Sequence, residues 1–171
     1  MSGADGDAGG GRRDTREATS DGEQPAVASA RDGEAKQDIA LVLIAEDEVP
    51  IAEALAYIIK EAGYESICAG NGKQALEIMR TRRPALIITD LMMPLMDGGE
   101  LIVAIYAELG DGAGPVPPIV LMTAGGLRRA QEVGADEVLR KPFDVEEVEE
   151  ILKRYINSGW QRPASGALPL P

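Results

Sequence analysis

The chain has 171 residues and a formal net charge of −12, with 17 basic against 29 acidic side chains and no histidine. That sign does not suit nonspecific nucleic-acid binding, which needs basic side chains to neutralise phosphates, and a chain without histidine is neither a histidine kinase nor a phosphohistidine carrier and builds no His-dependent nucleophile or metal site. No apolar run reaches the roughly 18 residues of a membrane span, the N-terminus lacks the apolar stretch of a secretion signal, and the single Cys68 allows no internal disulfide, which suits a cytoplasmic location.

Residues 1–38 are rich in Gly, Ala, Ser, Asp, Glu and Arg and hold almost no large apolar side chains. Such a segment buries too little apolar surface to offset its ordering entropy, so a disordered acidic extension is expected. The folded core is expected over 39–156, followed by a flexible tail, 157–171, with three prolines and two glycines. Nothing beyond Ile156 has the size of an output domain, and no DNA-reading element is evident.

Within the core, Ile39 to Ala45 is a continuous apolar run ending at Glu46-Asp47, which predicts a strand buried on both faces. Ile51, Ala54, Leu55, Ile58 and Ile59 then fall on one helical stripe, with Pro50 near its start and Gly63 after its end. Glu65 to Ala69 is a short strand. Asn71-x-x-Gln74 has the form of a capping box ahead of Ala75, Leu76, Ile78 and Met79, while Gly70-Asn71-Gly72 reads as a turn, since no Lys-Ser/Thr pair follows it to make a phosphate loop. Ala85 to Thr89 is a second fully apolar strand ending on Asp90. Asp97-x-x-Glu100 opens a third helix through Leu101, Ile102, Ile105 and Leu109. A Gly/Pro-rich loop, 110–118, leads to strand Ile119 to Thr123, a short helical piece around 127–133 and a strand at 137–141. Asp144-x-x-Glu147 opens the last helix, with Val145, Val148, Ile151, Leu152 and Tyr155 on one face.

Strands alternating with helices five times select an α/β fold with a parallel sheet covered on both faces, because parallel strands need crossover connections. Ligands of such sheets bind beyond the carboxyl ends of the strands. Glu46 and Asp47 follow the first strand, Asp90 the third, Thr123 the fourth and Lys141 the fifth. Singly, each has an ordinary explanation as a cap, a β-former or a snorkelling lysine. If the sheet closes as expected, all five meet at one edge, and a site is expected there. Three carboxylates within a few ångströms repel one another unless a cation joins them, and an oxygen-only donor set favours a hard ion, with Mg²⁺ the natural choice. Mg²⁺ and Lys141 would bring the site near neutrality, so that it admits a phosphoryl dianion, and a carboxylate is a competent acceptor, forming an aspartyl phosphate.

The run Asp90-Leu91-Met92-Met93-Pro94-Leu95-Met96-Asp97-Gly98 resembles the phosphorylation-site signature of response-regulator receiver domains of the CheY-like type. Glu46-Asp47, Thr123-Ala124 and Lys141-Pro142-Phe143 match the family's other signatures in order, and the resemblance covers 39–156. It implies a doubly wound, flavodoxin-like five-stranded parallel sheet of order 2-1-3-4-5. Asp90 would be the phosphoacceptor. Glu46, Asp47, Asp90 and the Met92 backbone carbonyl would bind Mg²⁺, and Thr123 and Lys141 would hold the phosphoryl group. The resemblance further implies a cis bond before Pro142 and an Ala124 small enough to leave Asp90 accessible. Met92, Met93 and Met96 read as packing residues around the site, and Phe143 as core.

The implied role is a stand-alone two-component response regulator. It would be phosphorylated by a histidine kinase or histidine phosphotransfer protein, signal by docking onto a protein target, and be no enzyme apart from self-catalysed phosphorylation and dephosphorylation of Asp90. A phosphate shuttle or sink, or a non-switching binding module of the same fold, are the alternatives. The chain departs from the family pattern at Val138, where most receivers carry an aromatic residue three positions before the lysine, and in a short Thr123–Lys141 segment, which predicts a short or irregular fourth helix. Both departures fall on a face that many receivers use for dimers or partners.

Overall fold

The structure is a computed structural model and describes residues 39–109, 115–125, 128 and 132–160. Leu41–Ala45, five residues with no polar side chain among them, form β1. Along the chain come α1 (Val49–Glu61), β2 (Glu65–Ala69), α2 (Gly72–Arg82), β3 (Leu86–Asp90), α3 (Gly98–Leu109), β4 (Ile119–Thr123), β5 (Glu137–Arg140) and α4 (Val145–Leu152), which runs into a π-helical turn at Lys153–Asn157. The five strands make one sheet in the order β2-β1-β3-β4-β5, and every pairing is parallel. This is the doubly wound order that the family resemblance implies. The helix expected around 127–133 falls mostly on residues outside the described ones.

The strand period of two divides the core into two layers. Leu43, Ala45, Ile87, Ile119 and Leu121 point to one face and pack with α2 and α3 through Ala75, Leu76, Met79, Leu101, Ile102 and Ile105. Val42, Ile44, Leu86, Ile88, Val120, Met122 and Leu139 point to the other and pack with α1 and α4. Every residue of β3 and β4 is buried, as central parallel strands require.

Several local expectations shift by a residue or a face. On α1, Ala52 is buried with Leu55, Ile58 and Ile59, whereas Ala54 is exposed; alanine is too small for its periodicity to settle the contact face. Val145 is 49% exposed because it opens α4, one turn short of where Val148, Ile151 and Leu152 meet the sheet. Asp90 is the last residue of β3 rather than the first beyond it. Trp160 packs against the second core layer, its ring edge-on to Tyr155 at 5.2 Å.

The helix starts follow the capping chemistry in their residues. Asp97 and Glu100 exchange backbone-to-carboxylate hydrogen bonds of 2.9 and 2.8 Å, and the Asp144 N–H donates to Glu147 Oε2 at 2.8 Å. At α2 the box is displaced. The Gln74 N–H donates to Asn71 Oδ1 at 3.0 Å, but the Gln74 side chain reaches past Asn71 and accepts from the Gly70 N–H at 2.8 Å. Asn71→Ala is therefore expected to cost about 1 kcal/mol of unfolding free energy, the usual loss of a cap, read as a lower urea midpoint with an unchanged slope. Among the described residues, no helix is long and apolar enough to cross a membrane.

Candidate active site at the carboxyl edge of the sheet

Parallel pairing brings the ends of β1, β3, β4 and β5 to one edge. Ala45 pairs with Thr89, Asp90 with Met122 and Thr123 with Arg140. The residues that leave those ends are therefore neighbours, although Glu46 and Lys141 lie 95 positions apart. Glu46, Asp90 and Thr123 are buried, and Asp47 is exposed.

Lys141 is the electrostatic centre of the group. Its Nζ lies 2.6 Å from Glu46 Oε2 and 2.6 Å from Asp90 Oδ1, with only 14% of the side chain exposed. Burial pulls the Lys141 ammonium toward its neutral form, but the hydrogen bonds it donates to the Asp90 and Glu46 carboxylates outweigh it and raise its pKa. Burial also raises the Glu46 pKa, against the opposing pull of Lys141. The buried trio is thus a lysine shared between two acids, a geometry that costs desolvation and repays it through charge-assisted hydrogen bonds.

The remaining oxygens are held by backbone. The Met92 N–H donates to Asp90 Oδ2 at 2.6 Å, and the Glu48 N–H donates to Glu46 Oε1 at 3.3 Å. The Thr123 hydroxyl accepts from the Gly125 N–H at 3.1 Å and donates to the Gly125 carbonyl. Thr123 is therefore turned onto the loop that follows β4. The peptide bond between Lys141 and Pro142 is cis, and the Lys141 N–H donates to the Thr123 carbonyl at 2.8 Å.

One carboxylate oxygen from each of Glu46, Asp47 and Asp90 lies within 4.8 Å of the others. Three acids against one lysine leave two negative charges, and an all-oxygen donor set of that charge fits a hard divalent cation. Exposed Asp47 opens the cluster to solvent on one side, so an ion can enter.

Two residues around Asp90 differ from expectation or carry more than it assigned. The Met92 side chain is 68% exposed rather than packed, while Met93 is buried and Met96 packs against the first core layer; Met92 is fixed by its amide, which leaves its side chain in solvent. Gly98 matters for space. A Cβ there would lie 2.2 Å from the Asp90 carbonyl oxygen. The glycine of the signature is therefore a close-approach position, readable from the sequence only as an unexplained Gly at a helix start. Phe143 is half-buried against the second layer, and Val138 packs against the first.

A doubly wound sheet with an acidic centre and a lysine at its carboxyl edge defines the receiver class, and the comparisons agree. The response regulator receiver domain model matches residues 42–153, well over half the chain. The protein belongs to that family: it carries the receiver domain of two-component response regulators. It is 31% identical over 119 residues to sporulation initiation phosphotransferase F of Bacillus subtilis (strain 168), covering 67% of this chain and 92% of that protein. It is 32% identical over 120 residues to the transcriptional regulatory protein CrdR of Helicobacter pylori (strain ATCC 700392 / 26695), covering 68% of this chain but only 54%, about half, of that longer protein. Among solved structures, the chemotaxis protein CheY4 of Vibrio cholerae matches with a TM-score of 0.61 at 30% identity, over 69% of this chain and 99% of that one. The receiver domain of sensor histidine kinase PA1611 from Pseudomonas aeruginosa PAO1, solved with a magnesium ion coordinated in its active site cleft, matches with a TM-score of 0.63 at 28% identity, over 70% of this chain and 99% of that one.

Proposed function

We propose that the core over 39–156 is a phosphorylation switch in which Asp90 accepts a phosphoryl group from a histidine kinase or a histidine phosphotransfer protein. The observation that carries this reading is the Lys141 ammonium shared between Glu46 and Asp90, beside the exposed carboxylate of Asp47, at the edge where such folds do their chemistry. Glu46, Asp47, Asp90 and the Met92 backbone carbonyl would hold Mg²⁺. Bound there, the ion would supply positive charge against the phosphoryl oxygens.

The chain's own groups supply the rest. A carboxylate oxygen of Asp90 forms a bond to phosphorus as the bond from phosphorus to the donor atom breaks, and the donor leaves with that electron pair. Lys141 exchanges its contact with Asp90 for one with a phosphoryl oxygen, and Thr123 turns its hydroxyl from Gly125 toward another. Hydrolysis of the acyl phosphate, with water as the incoming group, resets the site.

Incubation with acetyl phosphate and Mg²⁺ should give an adduct that hydroxylamine removes, mapped to the peptide containing Asp90. A hydroxylamine-stable adduct, or one on another peptide, contradicts the assignment.

Val138 favours a second role for the same chemistry. Packed into the first core layer, it provides no aromatic ring to move with Thr123, which suits a carrier that passes its phosphoryl group onward. The relative named as a phosphotransferase, nearly all of whose length is matched, points the same way. In a competition assay a carrier or sink drains phosphoryl groups from a kinase shared with a second regulator and has no partner that binds only its phosphorylated form; a terminal switch has such a partner.

A further inference from the structure

The turn Gly70-Asn71-Gly72 has no part in the chemistry above, yet it touches the loop that follows Asp90. The Gly72 N–H donates to the Met96 carbonyl at 3.1 Å. A Cβ on Gly72 would lie 2.6 Å from Met96 Cγ and 2.7 Å from the Met96 carbonyl oxygen. Gly72 is buried, as the first residue of α2. Its requirement for glycine is one of space: Met96 lies across the position that a side chain would occupy.

The turn that presents Gly72 is itself tied down, by Gln74 N–H to Asn71 Oδ1 and Gly70 N–H to Gln74 Oε1. The loop it meets is fixed at its start by the Leu91 N–H on the Met122 carbonyl, at 2.9 Å, and closed at its end by the Gly98 N–H on the Leu91 carbonyl, at 3.1 Å. Between these points Leu95 is 75% exposed and holds a left-handed φ of 68°. Met96, whose N–H also closes a tight turn onto the Pro94 carbonyl at 2.8 Å, is where the outer part of the loop meets another element.

We infer that Gly72 is a positioning residue for the acidic centre: by seating Met96 it holds the β3–α3 loop, and with it the Met92 backbone, against Asp90. The inference rests on the reading that this centre takes Mg²⁺ and a phosphoryl group. It gives the β2–α2 turn a role in that chemistry without contact to any reacting atom.

Three variants of the full chain test it: Gly72→Ala, Met96→Ala and, as a packing control, Ile59→Ala. Ile59 is buried in the opposite layer, against the other face of the sheet. Calorimetric titration with Mg²⁺ should show the dissociation constant of Gly72→Ala raised about tenfold, the scale of losing a group that supports metal ligands. Met96→Ala introduces no overlap and keeps the test readable if Gly72→Ala does not fold; it should show a smaller loss in the same direction. Ile59→Ala should melt earlier with its Mg²⁺ affinity unchanged. Loss of affinity in the control equal to that in the loop variants, or unchanged affinity in both loop variants, overturns the inference. If the wild type binds no Mg²⁺ and takes no phosphoryl group, the functional reading fails instead.

Discussion

Lys141→Ala is expected to slow phosphorylation of Asp90 by acetyl phosphate about 100- to 1,000-fold, the scale of removing one preorganised charge-stabilising donor, while tightening Mg²⁺ binding. The two effects have opposite signs because, in the proposed function, Lys141 serves two states. In the resting site its ammonium lies 2.6 Å from both Glu46 Oε2 and Asp90 Oδ1 and competes with a metal ion for the same carboxylates. Its removal leaves three acids with no cation among them, so a divalent ion becomes their sole counter-charge. During transfer the phosphoryl oxygens lose the cation that meets them. The metal-free variant should also be less stable by about 3 kcal/mol, because a buried Glu46 is left without its partner, and Mg²⁺ should restore much of that loss. A mass-spectrometric time course and calorimetry read the first two effects, and urea denaturation with and without Mg²⁺ reads the third. A rate within a few-fold of wild type would remove Lys141 from the chemistry.

Among the described glycines, Gly98→Ala should be the most damaging single-methyl change. A Cβ at Gly98 would sit 2.2 Å from the Asp90 carbonyl oxygen and 3.0 Å from both the Asp90 carbonyl carbon and Leu121 Cδ1. The obstacle is mostly backbone in a fully buried central strand, which cannot turn aside as a flexible side chain would. Overpacking of this kind costs roughly 3 kcal/mol or somewhat more, equivalent to a fall in melting temperature on the order of 10 °C for a domain of this size. Because the relief must come from Asp90 or from the start of α3, Mg²⁺ affinity and phosphorylation should fall with stability. Equal midpoints for variant and wild type in urea would show that α3 can move away from β3 at no cost.

The apolar runs of β1, β3 and β4 and the acids that close them were legible in the residues, because a strand buried on both faces leaves little choice of side chain. Those runs, with the signatures around Asp90, Thr123 and Lys141, carried the layer architecture, the sheet order and the membership of the acidic centre. What they could not carry is contact between distant backbones. Gly72 meets Met96, and Gly98 meets the carbonyl of Asp90, only after the sheet has brought their loops together, so the sequence offers a turn and a signature glycine with no reason attached. The side to which Ala54 or Met92 turns was hidden for a different reason: a small side chain and a flexible one at a loop are nearly indifferent to burial. Gln74 bonds Gly70 rather than Asn71, a one-residue displacement below the resolution of any spacing rule.

In the proposed function Asp90 is the acceptor of a metal-dependent phosphoryl transfer. Intact-mass spectrometry of the full chain after brief incubation with acetyl phosphate tests it most directly, with Mg²⁺ or excess chelator, wild type beside Asp90→Ala. A gain of about 80 Da, one phosphoryl group on a carboxylate nucleophile, is expected in the wild type with Mg²⁺ and in neither the chelated sample nor the variant. The same gain in Asp90→Ala, or one that persists under chelator, would contradict it.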